Sequence, residues 1–396
     1  MSVGPLPGFR DFYPAEFAER AYILRMWRAV AHRYALLEYD GPPLEPTDLY
    51  TRKSGEEIVG QLYNFTDKGD REIALRPEMT PTLARMVAAR AEALRKPVRW
   101  FSIPQLFRYE RKQKGRLREH FQLNVDIVGE SDVSADAELL ACAIDSVREF
   151  GLTSKDVRAR VSDRRLLSAL LLHSGVPEAA LPAVYAVVDK IERQSPAITG
   201  ERLALAGLGP SIIDRVIGLI QPTTVDDLAK RYADIPAIRE PVDRLRRYFA
   251  YLAALGVGDW VQLDLSIVRG LAYYTGIVFE LFDATGDLRA ICGGGRYDTL
   301  LSTVGGVDLP ALGFGMGDVV LAELLRARGL MRPDTFPIDV WIAAEEGVPI
   351  ESIMREAARL RAEGRSVEYP LRHQSLSKQK QAARALGARD IVTLTK

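Results

Sequence analysis

In HFQLNVDIV, residues 120–128, every second side chain is apolar. Phe121, Leu123, Val125 and Ile127 point one way from an extended chain, and His120, Gln122, Asn124 and Asp126 point the other. Such alternation fits a strand with one face in a core and does not fit a helix. The stretch just before it is strongly basic: six of the eleven residues from Arg108 to Arg118 are Lys or Arg. A strand ending in LFRYE, a basic loop through Gly115 and the strand from His120 therefore read as a hairpin. Its polar face carries Arg108, Glu110, Gln122, Asn124 and Asp126. A solvated outer face satisfies the same pattern. Two features favour a ligand face: Asn and Asp are poor strand formers, and the loop is too basic for a casual turn.

The theme recurs. In VQLDLSIV (261–268) apolar residues alternate with Gln262, Asp264 and Ser266, and Arg269-Gly270 then breaks the strand before Tyr273-Tyr274. An arginine at a strand end beside glycine suits a phosphate, and it equally suits a structural ion pair. CGGGRYD (292–298) and GFGMG (313–317) are glycine-rich, which marks close backbone approach or only bulges. Together these faces suggest an anionic ligand over an antiparallel sheet. Neither G-x-G-x-x-G after an early strand nor G-x-x-x-x-G-K-[ST] occurs, so a nucleotide binds in some other way.

The 396 residues fit one large domain with one or two small ones. Lys plus Arg equals Asp plus Glu at 53 each, so any affinity for nucleic acid is local. Cys142 and Cys292 are too few and too far apart for a disulfide framework or a zinc site, and fit a reducing compartment. No apolar run approaches the roughly 18 residues of a membrane span, and the N-terminus has no signal pattern. The chain reads as a soluble cytoplasmic protein.

Residues 15–36, 81–95 and 136–150 read as helices, and 61–78 as a hairpin turning at Asp67–Asp70. From about 155 to 256 short helical pieces predominate, as in a helical insertion. Strands return at 260–268, 273–283 and 288–294. MRPDTFP (331–337) reads as a linker between a domain over 1–330 and a small α/β unit over 338–396.

FRYERKQKGRLREHFQLNVDIVGE resembles motif 2 of the class II aminoacyl-tRNA synthetases in its histidyl form. SIVRGLAYYTGIVFE resembles the histidine-specific signature of the histidyl-tRNA synthetases, and CGGGRYD its companion strand. LRPEMT (75–80) resembles the loop that binds the amino-acid ammonium. GFRDFYP and the helix ending near YDGPP resemble motif 1, with Pro42 as its proline. The resemblance spans essentially the whole chain. It implies an α+β fold: a class II antiparallel sheet flanked by helices, with a helical insertion and a small C-terminal anticodon-binding domain.

It also implies ATP-dependent attachment of histidine to tRNA(His) through a histidyl-adenylate, in a homodimer joined at motif 1. Arg108 and Arg269 would be catalytic, straddling the α-phosphate. Glu110 and Arg116 would hold adenine and the outer phosphates, with Phe121 stacked on the base. Glu78, Thr80 and Gln122 would take the ammonium; Asp126 and Tyr274 would face the imidazole, and Tyr273 would line the pocket. Lys112 and Lys114 in the basic loop, and Lys378, Lys380 and Arg384 near the C-terminus, would meet tRNA, although a solvated helix face explains the last three as well. ATP would come with Mg²⁺, with no resident metal and no tightly bound cofactor.

Three departures stand out. Val319 and Val320 occupy the places of the Glu-Arg that ends motif 3, so Arg116 or Mg²⁺ is expected on the γ-phosphate. Ala272 replaces a frequent Asp. The last domain stops after DIVTLTK, short of the family's usual strands. The competing function is a regulatory subunit of ATP phosphoribosyltransferase, which binds histidine without aminoacylating; the intact Arg108, Glu110, Arg116 and Gln122 favour the ligase.

Overall fold

A computed structural model describes residues 4–51, 59–110, 117–268, 273–286, 288–334, 338–372 and 374–396. The chain divides into two compact units, Met1–Arg332 and Pro333–Lys396. In the first, the strands are β1 Leu37–Glu38, β2 Leu44–Pro46, β3 Tyr63–Thr66, β4 Glu72–Leu75, β5 Val98–Ser102 and β6 Gln105–Phe107. They continue as β7 Glu119–Val128, β8 Val157–Asp163, β9 Val261–Leu263, β10 Ile277–Asp283, β11 Cys292–Arg296 and β12 Ala311–Gly317.

The main sheet runs β1-β5-β7-β12-β11-β10-β8-β9, with β6 also on β7. Its interior pairs are antiparallel, whether joined by a short connection as β10–β11 is or brought together from far along the chain as β7–β12 is. Only the pairs at its two ends, β1 with β5 and β8 with β9, are parallel. Leu123, Val125 and Ile127 of β7 enter the core beside Phe101, Phe279 and Phe314. Across that face lies the helix Val133–Arg148, apolar almost all round and buried accordingly. Asp132 caps it by accepting the Ser134 N–H at 2.9 Å. Its buried Asp136 pairs with Arg296 of β11 at 2.5 Å, so each buried charge is compensated.

Strand boundaries depart from the sequence reading: those expected over 273–283 and 288–294 are Ile277–Asp283 and Cys292–Arg296, and two further departures have a clear local reason. The helical run begins at Arg164 rather than near 155, because Val157–Asp163 is a sheet strand whose end, Asp163, caps the next helix through the Arg165 and Leu166 N–H groups. The strand expected over 260–268 stops at Leu263. Asp264 accepts the Ser266 N–H at 2.9 Å and hydroxyl at 2.6 Å, which turns the chain. The hairpin at 67–70 forms between β3 and β4, with Asp70 at φ 56° in the left-handed region that Asp tolerates.

The N-terminal segment is tied to distant chain. Arg10 pairs with Glu119 at 2.6 Å and Asp318 at 2.8 Å, and Asp318 also accepts the Phe121 N–H at 2.9 Å. Burial raises the Asp318 pKa, and Arg10 opposes that rise. Asp318 opens the helix Asp318–Ala327, so three separated segments meet at the root of β7.

The second unit holds β13 Val340–Ala344, β14 Val367–Glu368 and β15 Asp390–Leu394, in the parallel order β14-β13-β15. Alternate residues of β13 feed two small cores. Val340 and Ile342 meet the helix Ile350–Ala362, and Trp341 and Ala343 meet Leu376–Ala385. The buried Gln379 amide bonds both the N–H and the C=O of Ala344.

Candidate active site

One cavity of about 1290 Å³ lies over the polar face of β7 and the glycines of β11 and β12. His120, Gln122 and Asn124 line it, with their apolar neighbours turned into the core as the period of two demands. Gly313, Gly315 and Gly317 line it from β12, registered against Asp126, Asn124 and Gln122. Two of these glycines make room for β7. A Cβ on Gly313 would lie 2.0 Å from Asp126 Oδ1, and one on Gly315 would lie 2.7 Å from Gln122 Cδ. Gly313 and Gly315 of β12 are therefore kept bare so that polar side chains of β7 can lie across them, whereas Gly294 and Gly295 of β11 allow close approach of the neighbouring strands at Phe314 and Val278.

Glu78 and Thr80 line the wall where the helix Thr80–Ala88 begins. Tyr273, Tyr274 and Tyr297 form an aromatic group beside them, with ring centroids 5.0 Å apart for the first pair and 5.9 Å for Tyr273 and Tyr297. The Tyr273 hydroxyl donates to Glu78 Oε2 at 3.2 Å. Arg108 Nε donates to the Pro77 carbonyl at 2.8 Å, which fixes the plane of the guanidinium at the cavity wall. Glu110 and Glu280 also line the cavity.

Asp126 lies on the pocket side of β7 but beneath the lining, and Tyr297 donates its hydroxyl to Oδ1. Burial pushes its carboxyl up to about 7, against the lowering effect of that hydrogen bond. His120 moves the other way: burial first, then the positive charges of Arg108 and Arg10, lower its pKa to about 3. The imidazole is therefore neutral throughout the physiological range.

The expectation that Phe121 stacks on adenine is corrected by the same strand alternation. Phe121 has the parity of Leu123, so its ring leaves the cavity face. It meets Phe12 edge-on at 6.2 Å, under the Arg20 guanidinium at 4.7 Å. The aromatic side chain that β7 does present to the cavity is His120. Glu78, Thr80, Gln122, Tyr273, Tyr274, Arg108 and Glu110 all line the one cavity. Lys112, Lys114, Arg116 and Arg269 lie outside the described residues.

Other lining residues were missed by the sequence reading. Tyr297 stood in the quoted CGGGRYD without a role. The cavity also runs out to Lys190, Glu192 and Arg193 of the helical insertion, and to Arg158 and Arg160 of β8. Arg160 is held by Asp264 at 2.5 Å and by Glu192, joining insertion to sheet. Among the described residues no group of three His, Cys, Asp or Glu could cage a metal ion.

A family model described as histidyl-tRNA synthetase matches residues 8–318. A histidine–tRNA ligase of Opitutus terrae is 44% identical over 97% of this chain and 89% of its own length. A chloroplastic/mitochondrial histidine–tRNA ligase of Arabidopsis thaliana is 40% identical over 100% of this chain and 81% of its own. The solved histidyl-tRNA synthetase of Nostoc sp. PCC 7120 superposes with a TM-score of 0.83 at 23% identity, covering 100% of this chain and 92% of that one, a likeness of fold.

Proposed function

The chain belongs to the histidyl-tRNA synthetase family, and from that membership we propose that the cavity over β7 and β12 is where it joins histidine to tRNA. The activity is ATP-dependent: the histidine carboxylate attacks the α-phosphorus, pyrophosphate leaves, and the resulting histidyl-adenylate passes its acyl group to a ribose hydroxyl at the tRNA 3′ end. One observation carries the assignment to this cavity. Glu78, Thr80, Gln122, Tyr274, Arg108 and His120 all line it, with Asp126 just beneath the lining under the Tyr297 hydroxyl. The regulatory-subunit reading is less supported, since relatives 44% and 40% identical over nearly the whole chain are named ligases.

Glu78, Thr80 and Gln122 take the ammonium of histidine, and Tyr273 orients Glu78. Tyr274 and the Asp126 oxygen not engaged by Tyr297 read the imidazole. Arg108, held by Pro77, stabilises charge on the α-phosphate as the five-coordinate phosphorus forms, with Arg269 as its partner. Magnesium arrives with ATP; such ions are typically carried by phosphates and one or two carboxylates, and Glu280 is a carboxylate of that kind on the cavity wall. Histidine-dependent exchange of pyrophosphate into ATP tests the assignment. Exchange driven equally by other amino acids, or none at all, would overturn it.

His120 serves as the adenine platform. His120→Ala should raise the KM for ATP by roughly 10–100-fold, the value of about 1–3 kcal/mol for a lost base–aromatic stack, while His120→Phe keeps activity. Because the ring is neutral from pH 5 to 9, the KM for ATP should not follow an imidazole titration. A variant with alanine that binds ATP normally would remove the role.

The same family reading assigns the C-terminal unit to tRNA. No acidic residue falls between Tyr369 and Arg389, and Lys378, Lys380 and Arg384 sit on the helix Leu376–Ala385, Lys378 and Arg384 exposed and Lys380 half-buried. Replacing all three by alanine should weaken tRNA binding and flatten its salt slope by roughly 2–3, with histidine activation unchanged. Equal tRNA affinity at every salt concentration would refute the contact.

Motif 1 supports a homodimer: β1 is a sheet-edge strand whose Leu37 is 66% exposed, an apolar edge that a second subunit would cover. No helix among the described residues is long and apolar enough to cross a membrane. A cytoplasmic location accords with Cys142 and Cys292, both of which are buried.

A further inference from the structure

We propose that Arg289, on the connection from β10 to β11, grips the outer phosphates of ATP and the pyrophosphate that leaves. This rests on the family reading above and identifies a residue that reading does not supply. A triphosphate demands cationic partners with hydrogen-bonding forks. Yet where the helix Asp318–Ala327 meets the cavity, it presents Val319 and Val320, which carry no charge.

Six cations line the cavity among the described residues: Arg108, Arg158, Arg160, Lys190, Arg193 and Arg289. Position separates them. Lys190 and Arg193 belong to the helical insertion, and Arg158 and Arg160 to β8, which is separated from β12 by two strands. Arg108 is oriented by Pro77.

Arg289 stands at the valine wall. The Ile291 carbonyl accepts the Gly317 N–H at 3.3 Å, stitching the β10–β11 connection to the residue before the helix. Arg289 is two residues from that stitch, about 7 Å of extended chain, and an arginine side chain spans a similar distance. Leu288, Ala290 and Ile291 line the cavity on either side of it, together with Gly317, Val319 and Val320.

The nucleotide's place agrees. A Cβ on Gly317 would lie 3.9 Å from His120 Cδ2, so the base platform adjoins the same wall. Arg108 is close enough to His120 for its charge to act on the imidazole. With its base on His120 and its α-phosphate at Arg108, an ATP whose outer phosphates fold back over the base sets them against the β10–β11 connection. Arg289 is an exposed residue at this rim, which suits a group that must let pyrophosphate go.

The test uses the full chain with Arg289→Ala and Arg289→Lys. In histidine-dependent exchange, Arg289→Ala should lose roughly 10²-fold in kcat/KM for ATP. Its KM for histidine should stay within about twofold, because losing one fork at the phosphates leaves the ammonium and ring contacts intact. Lysine should restore part of the loss, since it keeps the charge and not the fork. Affinity for inorganic pyrophosphate should fall in parallel. Affinity for a sulfamoyl analogue of histidyl-adenylate, which has no outer phosphates, should not change. Wild-type exchange with Arg289→Ala, or analogue binding that falls in step with ATP, would overturn the assignment. Failure of the wild-type chain itself to exchange with histidine would overturn the function proposed for this cavity instead.

Discussion

Asp126→Asn should abolish histidine activation and at the same time raise the melting temperature at pH 8. The two effects come from one fact: a carboxyl held under Tyr297, with its pKa pushed up to about 7. In the empty protein the folded state keeps its proton up to that pH, whereas the unfolded chain releases it near 4. Between those values the folded state binds more protons than the unfolded one, so stability falls as pH rises and levels off above about 7. Asparagine removes that penalty, on the order of 3–4 kcal/mol at most, and can still accept the Tyr297 hydroxyl. Below pH 4 the two proteins should melt alike. Function goes the other way. Histidine loses the acidic acceptor for its ring, and sites built on such bonds discriminate by about 10⁴-fold or more when a partner is missing. The checks are thermal melts from pH 4 to 9 and the KM for histidine. Equal melting curves at pH 8 would dispose of the buried charge; an unchanged KM would dispose of the ring contact.

Arg108→Ala should lower the rate of adenylate formation by about 10²–10³-fold, with a smaller change in ATP affinity. Charge builds on the α-phosphate oxygens only as the carboxylate attacks, so a preset donor acts mainly on the transition state. The preset is visible. Nε is engaged by the Pro77 carbonyl at 2.8 Å, which leaves the two Nη groups for phosphate. Arg108→Lys cannot hold Pro77 and reach the phosphate with one ammonium, so it should recover little. A merely structural arginine would show the reverse, a lower melting temperature with kcat intact. Rapid-quench measurement of adenylate formation beside a melting curve separates the two.

Much of the floor of this site was legible, because β7 is a strand whose two faces differ in chemistry and a period of two leaves no ambiguity about parity. Phe121 was assigned to adenine by resemblance, against that parity, and the parity prevailed. The glycines of β12 were visible as a cluster, but their reason was not. That reason is the side chains of Gln122 and Asp126 lying where a Cβ would be, a contact between residues nearly 190 positions apart for Asp126 and Gly313 (313 − 126 = 187). Long-range partners also hid the cavity's reach into the helical insertion, where Arg160 needs Glu192 and Asp264 to take its position. The strand over 261–268 failed for a shorter-range cause: alternation continues through Asp264, but its carboxylate bonds ahead to Ser266 and turns the chain.

Arg10 has a consequence for how the protein is made. It joins Glu119 to Asp318, a residue 308 positions further along the chain. On the ribosome, β7 and its neighbours emerge long before that aspartate does. Until then Arg10 has one of its two acceptors, the Phe121 N–H lacks Asp318, and β7 waits without β12 for its strand partner. Assembly of the cavity wall formed by β7 and β12 is therefore a late event of synthesis, and the nascent chain exposes a strand edge through most of its elongation. That is the interval in which such chains are prone to association with one another and depend on chaperones.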